Sequence, residues 1–139
     1  MGLGSGYGAA VAREVVGEEG HVVSIEIDPV TFKYAKANLE RAGYQDVVLV
    51  QADDGLGYPE LQPYDRIAMT AACTELPPPL LDQLAFGGRL IAPLICGMGQ
   101  DLTVFEKSAT GVSQKFICTV LYVNLRGQYG VAGEQESKS

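Results

Sequence analysis

The sequence predicts an α/β fold: a doubly wound, mixed sheet with helices on both faces and an antiparallel hairpin at its carboxyl end. Three observations predict it. Short apolar runs alternate with helix-patterned segments from residue 9 to residue 95. The junctions carry Gly, Asp or Pro, residues that suit turns and helix caps. Beyond residue 101 two strand-like runs follow each other with no room for a helix between them.

The elements follow in order. Gly2-Leu3-Gly4-Ser5-Gly6-Tyr7-Gly8 is a glycine loop, residues 9–16 read as a helix, and Gly17 stops it. Residues 21–27, His-Val-Val-Ser-Ile-Glu-Ile, suit a buried strand. Asp28-Pro29 then supplies a cap and a proline at the first helical position. Phe32, Ala35, Leu39 and Ala42 share one helical face, and Gly43 ends that helix. Residues 47–50 form the next strand, which runs into Ala52-Asp53-Asp54-Gly55. A loop with Gly57, Pro59 and Pro63 leads to a strand over 64–70. Pro77-Pro78-Pro79 opens a helix with an apolar face of Leu80, Leu81 and Leu84, stopped by Gly87-Gly88 before a strand over 89–95. Residues 102–106 and 115–123 form the closing hairpin through Ser108-Ala109-Thr110-Gly111, so one late strand runs antiparallel. Residues 1–125 are expected to be one domain and 126–139 a polar, frayed tail.

Composition narrows the function. The chain has 139 residues, 47% of them hydrophobic, enough for one sizeable core. A net charge of -7 argues against a broad nucleic-acid surface. Cys73, Cys96 and Cys118 sit in apolar stretches and are too few, and odd in number, for a disulfide framework, which points to a reducing, cytoplasmic setting. No stretch of 18 apolar residues suggests a membrane span, and the glycine-rich residues 1–12 do not suit a signal peptide. The one histidine, His21, reads as a surface loop residue, so neither a metal cluster nor a nucleophilic triad is expected.

Chemistry concentrates at three places. Glycines ahead of a helix let backbone approach a ligand closely, and the helix amides favour negative charge; the same loop also serves as a tight turn. Gly4-Ser5-Gly6-Tyr7-Gly8-Ala9 fits a relaxed dinucleotide pattern. Glu26 ends a strand some 20 residues on, where a carboxylate can accept from two ribose hydroxyls; a nicotinamide cofactor would fit equally, and so would a solvated strand-end acid. Asp53 and Asp54 end the next strand, where one could accept from an adenine amino group or cap its own turn.

The glycine loop with its Ala-rich helix is similar to the first motif of class I methyltransferases. Further segments resemble one family of that class, the protein-L-isoaspartate O-methyltransferases: Val23-Ser24-Ile25-Glu26, Asp53-Asp54-Gly55-Leu56-Gly57-Tyr58, Pro63-Tyr64-Asp65-Arg66-Ile67, Thr70-Ala71-Ala72, and Leu84-Ala85-Phe86-Gly87-Gly88-Arg89-Leu90-Ile91-Ala92-Pro93. The likeness runs in order from residue 1 to about 125, and the 56–58 and 63–66 stretches are its most specific part.

The resemblance implies a Rossmann-like class I fold, S-adenosyl-L-methionine as cofactor, and methylation of L-isoaspartyl carboxylates in damaged proteins as a repair step. It implies that Gly2, Gly4 and Gly6 surround the amino-acid part of the cofactor with Ser5 beside them. Glu26 would hold the ribose with Ile27 next to it, Asp53 and Asp54 would face the adenine, and Thr70, Ala71 and Ala72 would line the pocket near the methyl group. The catalytic residues stay unassigned. A carboxylate acceptor is already ionised near pH 7, so no general base is required.

Two residues depart from the family pattern: Asp54 stands where a glycine is usual, and Asn124 where a proline is usual. The family also has an amino-terminal substrate-binding segment and a first strand, and Met1 aligns with that strand's last residue. The expectation is therefore an amino-terminally truncated chain, its first strand missing and its activity impaired. Rival readings are a class I enzyme acting on RNA or a small molecule, a cofactor-binding but inactive homologue, and a nicotinamide-dependent oxidoreductase.

Overall fold

The computed structural model describes residues 2–52 and 56–131. The chain divides into two compact units, Met1–Gln62 and Pro63–Ser139. Among the described residues no helix is long and apolar enough to cross a membrane.

In the first unit the order is α1 (Tyr7–Val16), β1 (Val23–Glu26), α2 (Pro29–Ala42) and β2 (Val48–Gln51). Local chemistry accounts for each boundary. The Asp28 carboxylate accepts from the Thr31 amide at 2.7 Å, and Pro29 occupies the first turn of α2. The far end is a Schellman turn: Gly43, at φ 87°, donates to Glu40 O, and Tyr44 N donates to Leu39 O at 2.9 Å. β1 and β2 pair in parallel from Val23↔Val48 to Glu26↔Gln51. Leu3, Ala9, Val22, Ala35, Leu39 and Val47 form the core, with Phe32, Tyr44 and Leu49 packed against it. Each fully buried Leu or Val contributes about 1.5–3 kcal/mol. Ala42, expected on the buried face of α2, is exposed, because the helix ends there. Arg13, near the end of α1, pairs with Asp46 and also donates to Gly17 O, while Tyr44 Oη donates to Glu14 at 2.9 Å.

The second unit is built on a four-stranded sheet in the order β3 (Tyr64–Ala68), β4 (Leu84–Cys96), β5 (Gly99–Ser108), β6 (Gly111–Val120). β3 and β4 are parallel, and β5 runs antiparallel to both of its neighbours. The expected hairpin is present, with longer arms, and Ser108 Oγ braces its turn through Thr110 N and Gly111 O. Past β6 the chain also pairs Asn124 with Ala72, which lies beside the Cys73↔Leu94 bridge. Met69, Cys73, Leu80, Leu84, Leu90 and Ala92 are among its most deeply buried side chains.

One expected helix is shorter than the pattern suggested. α3 spans only Pro78–Asp82, and Leu84 belongs to β4. Gly87-Gly88 stop no helix; they lie in a bulge. Tyr64 pairs with Leu84 and Arg66 with Arg89, so β4 places three extra residues against β3. Gly87 has φ 76°, and a Cβ on Gly88 would lie 2.8 Å from Ala85 O, so the bulge requires glycine. Lys107 Nζ holds it, donating to Leu81 O at 2.7 Å and Leu84 O at 2.9 Å and sitting 5.4 Å over the Phe86 ring. The helix stops early because Tyr64 N takes Gln83 O at 2.8 Å, which starts the ladder there.

Candidate functional site

The glycine loop is held in the first unit by its own backbone and by one apolar anchor. Gly2 N donates to Ile25 O at 3.0 Å, and Gly6 N donates to Leu3 O at 3.0 Å. Leu3 is 5% exposed and sits in the core, so the loop is pinned between its glycines. Gly6 precedes α1 at φ 90°, a conformation that favours glycine. A Cβ there would lie 3.0 Å from Leu39 Cγ and 3.3 Å from Ala35 O, so the loop seats directly on α2.

Glu26 ties this loop to the end of β1. Its Oε2 accepts from Leu3 N at 3.0 Å and Gly4 N at 3.3 Å. Its Oε1 accepts from Ile27 N at 2.9 Å and Asp28 N at 3.0 Å. A carboxylate offers about four lone-pair positions, and here four amides share them. Charge-assisted bonds of this kind let a carboxylate stay buried, and Glu26 is 9% exposed. Ser5 is exposed; its Oγ accepts from Tyr7 N at 3.4 Å, and its carbonyl accepts from Asn38 Nδ2 at 3.0 Å.

The structure thus brings Gly2, Gly4, Ser5, Gly6, Glu26 and Ile27 together around the start of α1. Asp53 and Asp54 lie outside the described residues. Thr70, Ala71 and Ala72 belong to the second unit. There Ala71 and Ala72 are buried, and Ala72 uses its backbone to pair with Val123 and Leu125 at 2.7 Å each. Thr70 keeps part of its surface. Burial pushes the Cys73 thiol up to about 11, which makes it a core residue rather than a nucleophile.

Two residues of the site were not singled out from sequence. Leu3 reads as a filler between glycines, although an apolar residue inside a glycine loop signals an anchor. Asn38 sits inside a helix, where Asn is a weak former, and that mismatch was the available signal.

Comparison with known proteins gives the family. The family described as protein-L-isoaspartate(D-aspartate) O-methyltransferase matches residues 1–130. Protein-L-isoaspartate O-methyltransferase of Methanococcoides burtonii is 44% identical over 131 residues, 94% of this chain and 64% of that protein. The Staphylothermus marinus protein of the same name is 50% identical over 137 residues, 94% of this chain and 61% of that one. The chain therefore spans about three-fifths of the length of these relatives. A solved protein-L-isoaspartate O-methyltransferase superposes with a TM-score of 0.86 at 36% identity, covering 93% of this chain and 41% of the other. A Plasmodium falciparum structure described under the same activity, in complex with S-adenosyl-L-homocysteine, gives a TM-score of 0.76 at 25% identity over 90% of this chain and 63% of that one. The fold is the α/β class I methyltransferase fold. By the match over residues 1–130, the chain belongs to the protein-L-isoaspartate(D-aspartate) O-methyltransferase family.

Proposed function

We propose that this chain binds S-adenosyl-L-methionine at the glycine loop and Glu26, and that it serves methyl transfer to the carboxylate of L-isoaspartyl residues in damaged proteins. The observation that carries the reading is the bond pair from Leu3 N and Gly4 N to Glu26, which sets a strand-end acid against a glycine loop. The residues fit that cofactor. A ribose hydroxyl can donate to this carboxylate in place of the longest amide bond, that of Gly4 at 3.3 Å. Ile27 N and Asp28 N keep the carboxylate oriented meanwhile. Among the described residues nothing lies within 4 Å of a Cβ built on Gly4, so a ligand can approach its backbone closely. The amino-terminal end of α1 favours the cofactor's carboxylate.

When bound, the cofactor supplies a methyl group activated on a sulfonium. The chain's part is to hold and orient it. Gly2, Gly4, Ser5 and Gly6 receive the amino-acid end, and Ile27 lies beside the ribose. The family resemblance would assign Asp53 and Asp54 to the adenine and Thr70, Ala71 and Ala72 to the methyl. Residues 1–125 act as the binding domain and 126–139 as a tail. The free thiols of Cys73, Cys96 and Cys118 suit a reducing, cytoplasmic compartment. An isoaspartyl carboxylate is ionised near pH 7, so positioning rather than proton transfer sets the rate.

The test has two arms. Calorimetry with S-adenosyl-L-homocysteine and with NAD should give binding of the first alone; binding of NAD alone overturns the reading. Methyl transfer to an isoaspartyl peptide should exceed transfer to bulk RNA. Cofactor binding with no transfer to the peptide would mark the chain as a binding-only member of its family.

A further inference from the structure

We infer that Asn38, on α2, is a positioning residue for the cofactor loop, locking the peptide between Ser5 and Gly6. The inference rests on the proposal that this loop receives the cofactor. The geometry is specific. Asn38 Nδ2 donates to Ser5 O at 3.0 Å, across 33 residues of sequence. The same peptide's N–H, on Gly6, donates to Leu3 O at 3.0 Å. A peptide unit is planar, so bonds at both its oxygen and its nitrogen fix its orientation.

That plane needs a lock. Gly6 sits at φ 90°, and glycine populates either sign of φ with nearly equal ease, so this peptide can flip at small intrinsic cost. A flip would take the Ser5 carbonyl away from Asn38, change which backbone groups the loop presents, and release the Gly6 amide from Leu3. Packing gives partial support, because Gly6 rests against Leu39 and Ala35. Packing cannot select the carbonyl direction; a donor can, and Asn38 is the side chain that supplies one. Its place in the helix points the same way. Asn is a weak helix former, and position 38 lies on the partly buried border beside Leu39, where Ala would serve α2 better.

The test uses Asn38→Ala and Asn38→Asp in the 139-residue chain, with three readouts: amide hydrogen exchange at Gly6, affinity for S-adenosyl-L-homocysteine, and melting temperature. Both variants lose the donor, and Asp also adds negative charge beside the end of α1 that receives an anionic group. Both should speed Gly6 exchange and weaken binding, Ala by about two- to tenfold and Asp by more. The melting temperature of Asn38→Ala should not fall, because the gain in helix propensity offsets the lost surface bond. Unchanged Gly6 exchange in both variants overturns the inference. So does an affinity equal to that of a wild-type chain that binds, or a loss of affinity that merely follows a fall in melting temperature. If the wild-type chain binds no S-adenosyl-L-homocysteine, the cofactor reading falls, and Gly6 exchange alone decides whether Asn38 locks the loop.

Discussion

In the first unit, the backbone groups nearest the candidate chemistry lie outside any ladder. Leu3, Gly4, Ile27 and Asp28 all donate to one side chain, Glu26, and the Ser5 carbonyl accepts from another, Asn38. In the second unit the comparable stretch, Ala72 and Cys73, is held by strand pairing with Asn124 and Leu94. A ladder bond depends on the course of the chain and tolerates most side chains. A loop held in part by two side chains depends on those residues as well. Substitutions in the second unit away from Thr70, Ala71 and Ala72 should therefore register as lost stability, and substitutions around the loop should register as lost binding as well.

The largest effect should come from the sheet. Leu90, fully buried in β4, pairs with Phe105 and Ile67, so Leu90→Ala should lower unfolding free energy by about 2–5 kcal/mol in a denaturant titration. Next comes Gly6→Ala, which forces a non-glycine residue to φ 90° and sets a Cβ 3.0 Å from Leu39 Cγ. About 1–3 kcal/mol of stability should go, and affinity for S-adenosyl-L-homocysteine should fall further than stability alone explains. A Gly6→Ala chain that binds normally would blur the contrast between the units. Lys107→Met sharpens it from the other side: losing the donor to Leu81 O and Leu84 O should cost about 1–2 kcal/mol in thermal melts and leave cofactor affinity unchanged.

The smallest effect is electrostatic. The Arg13 guanidinium holds the Asp46 carboxyl below the ordinary carboxylate range. A carboxyl whose folded value is depressed adds stability above its unfolded value and loses it as pH falls through the folded one. Asp46→Asn should therefore melt slightly below wild type at pH 7, and the difference should close as pH drops well below 4. Asp46 is exposed and Arg13 half-buried, so the shift should be small and should shrink further in high salt.

The same contrast explains what was legible in the sequence. Asp28, Pro29 and Gly43 act within one helical turn of themselves, so the bounds of α2 could be read almost to the residue. The alternation of strand and helix, the late antiparallel strand, the glycine loop and Glu26 were legible because spacing carries them. Gly87-Gly88 misled, because a helix stop and a strand bulge use the same residues; the choice between them rests on Tyr64 meeting Gln83 and Leu84, some 20 positions on. Lys107 reaches back 23 residues to Leu84 and Asn38 reaches back 33 to Ser5; no local pattern marks the first contact, and only the weak helix propensity of Asn hints at the second. The anchoring of the loop by Glu26 was half legible: the carboxylate could be expected at the site, but not that four backbone amides orient it.

Glu26 links the loop to the end of β1, and the proposed cofactor site depends on it. The most direct test of that dependence is a calorimetric titration of wild type and Glu26→Gln with S-adenosyl-L-homocysteine, with far-ultraviolet circular dichroism to follow the fold. Gln keeps the shape but replaces one acceptor oxygen with a donor, which opposes either the Leu3 and Gly4 amides or those of Ile27 and Asp28. Wild type should bind, and the variant should keep its secondary structure but bind at least about tenfold more weakly. A folded Glu26→Gln chain with wild-type affinity would contradict that dependence.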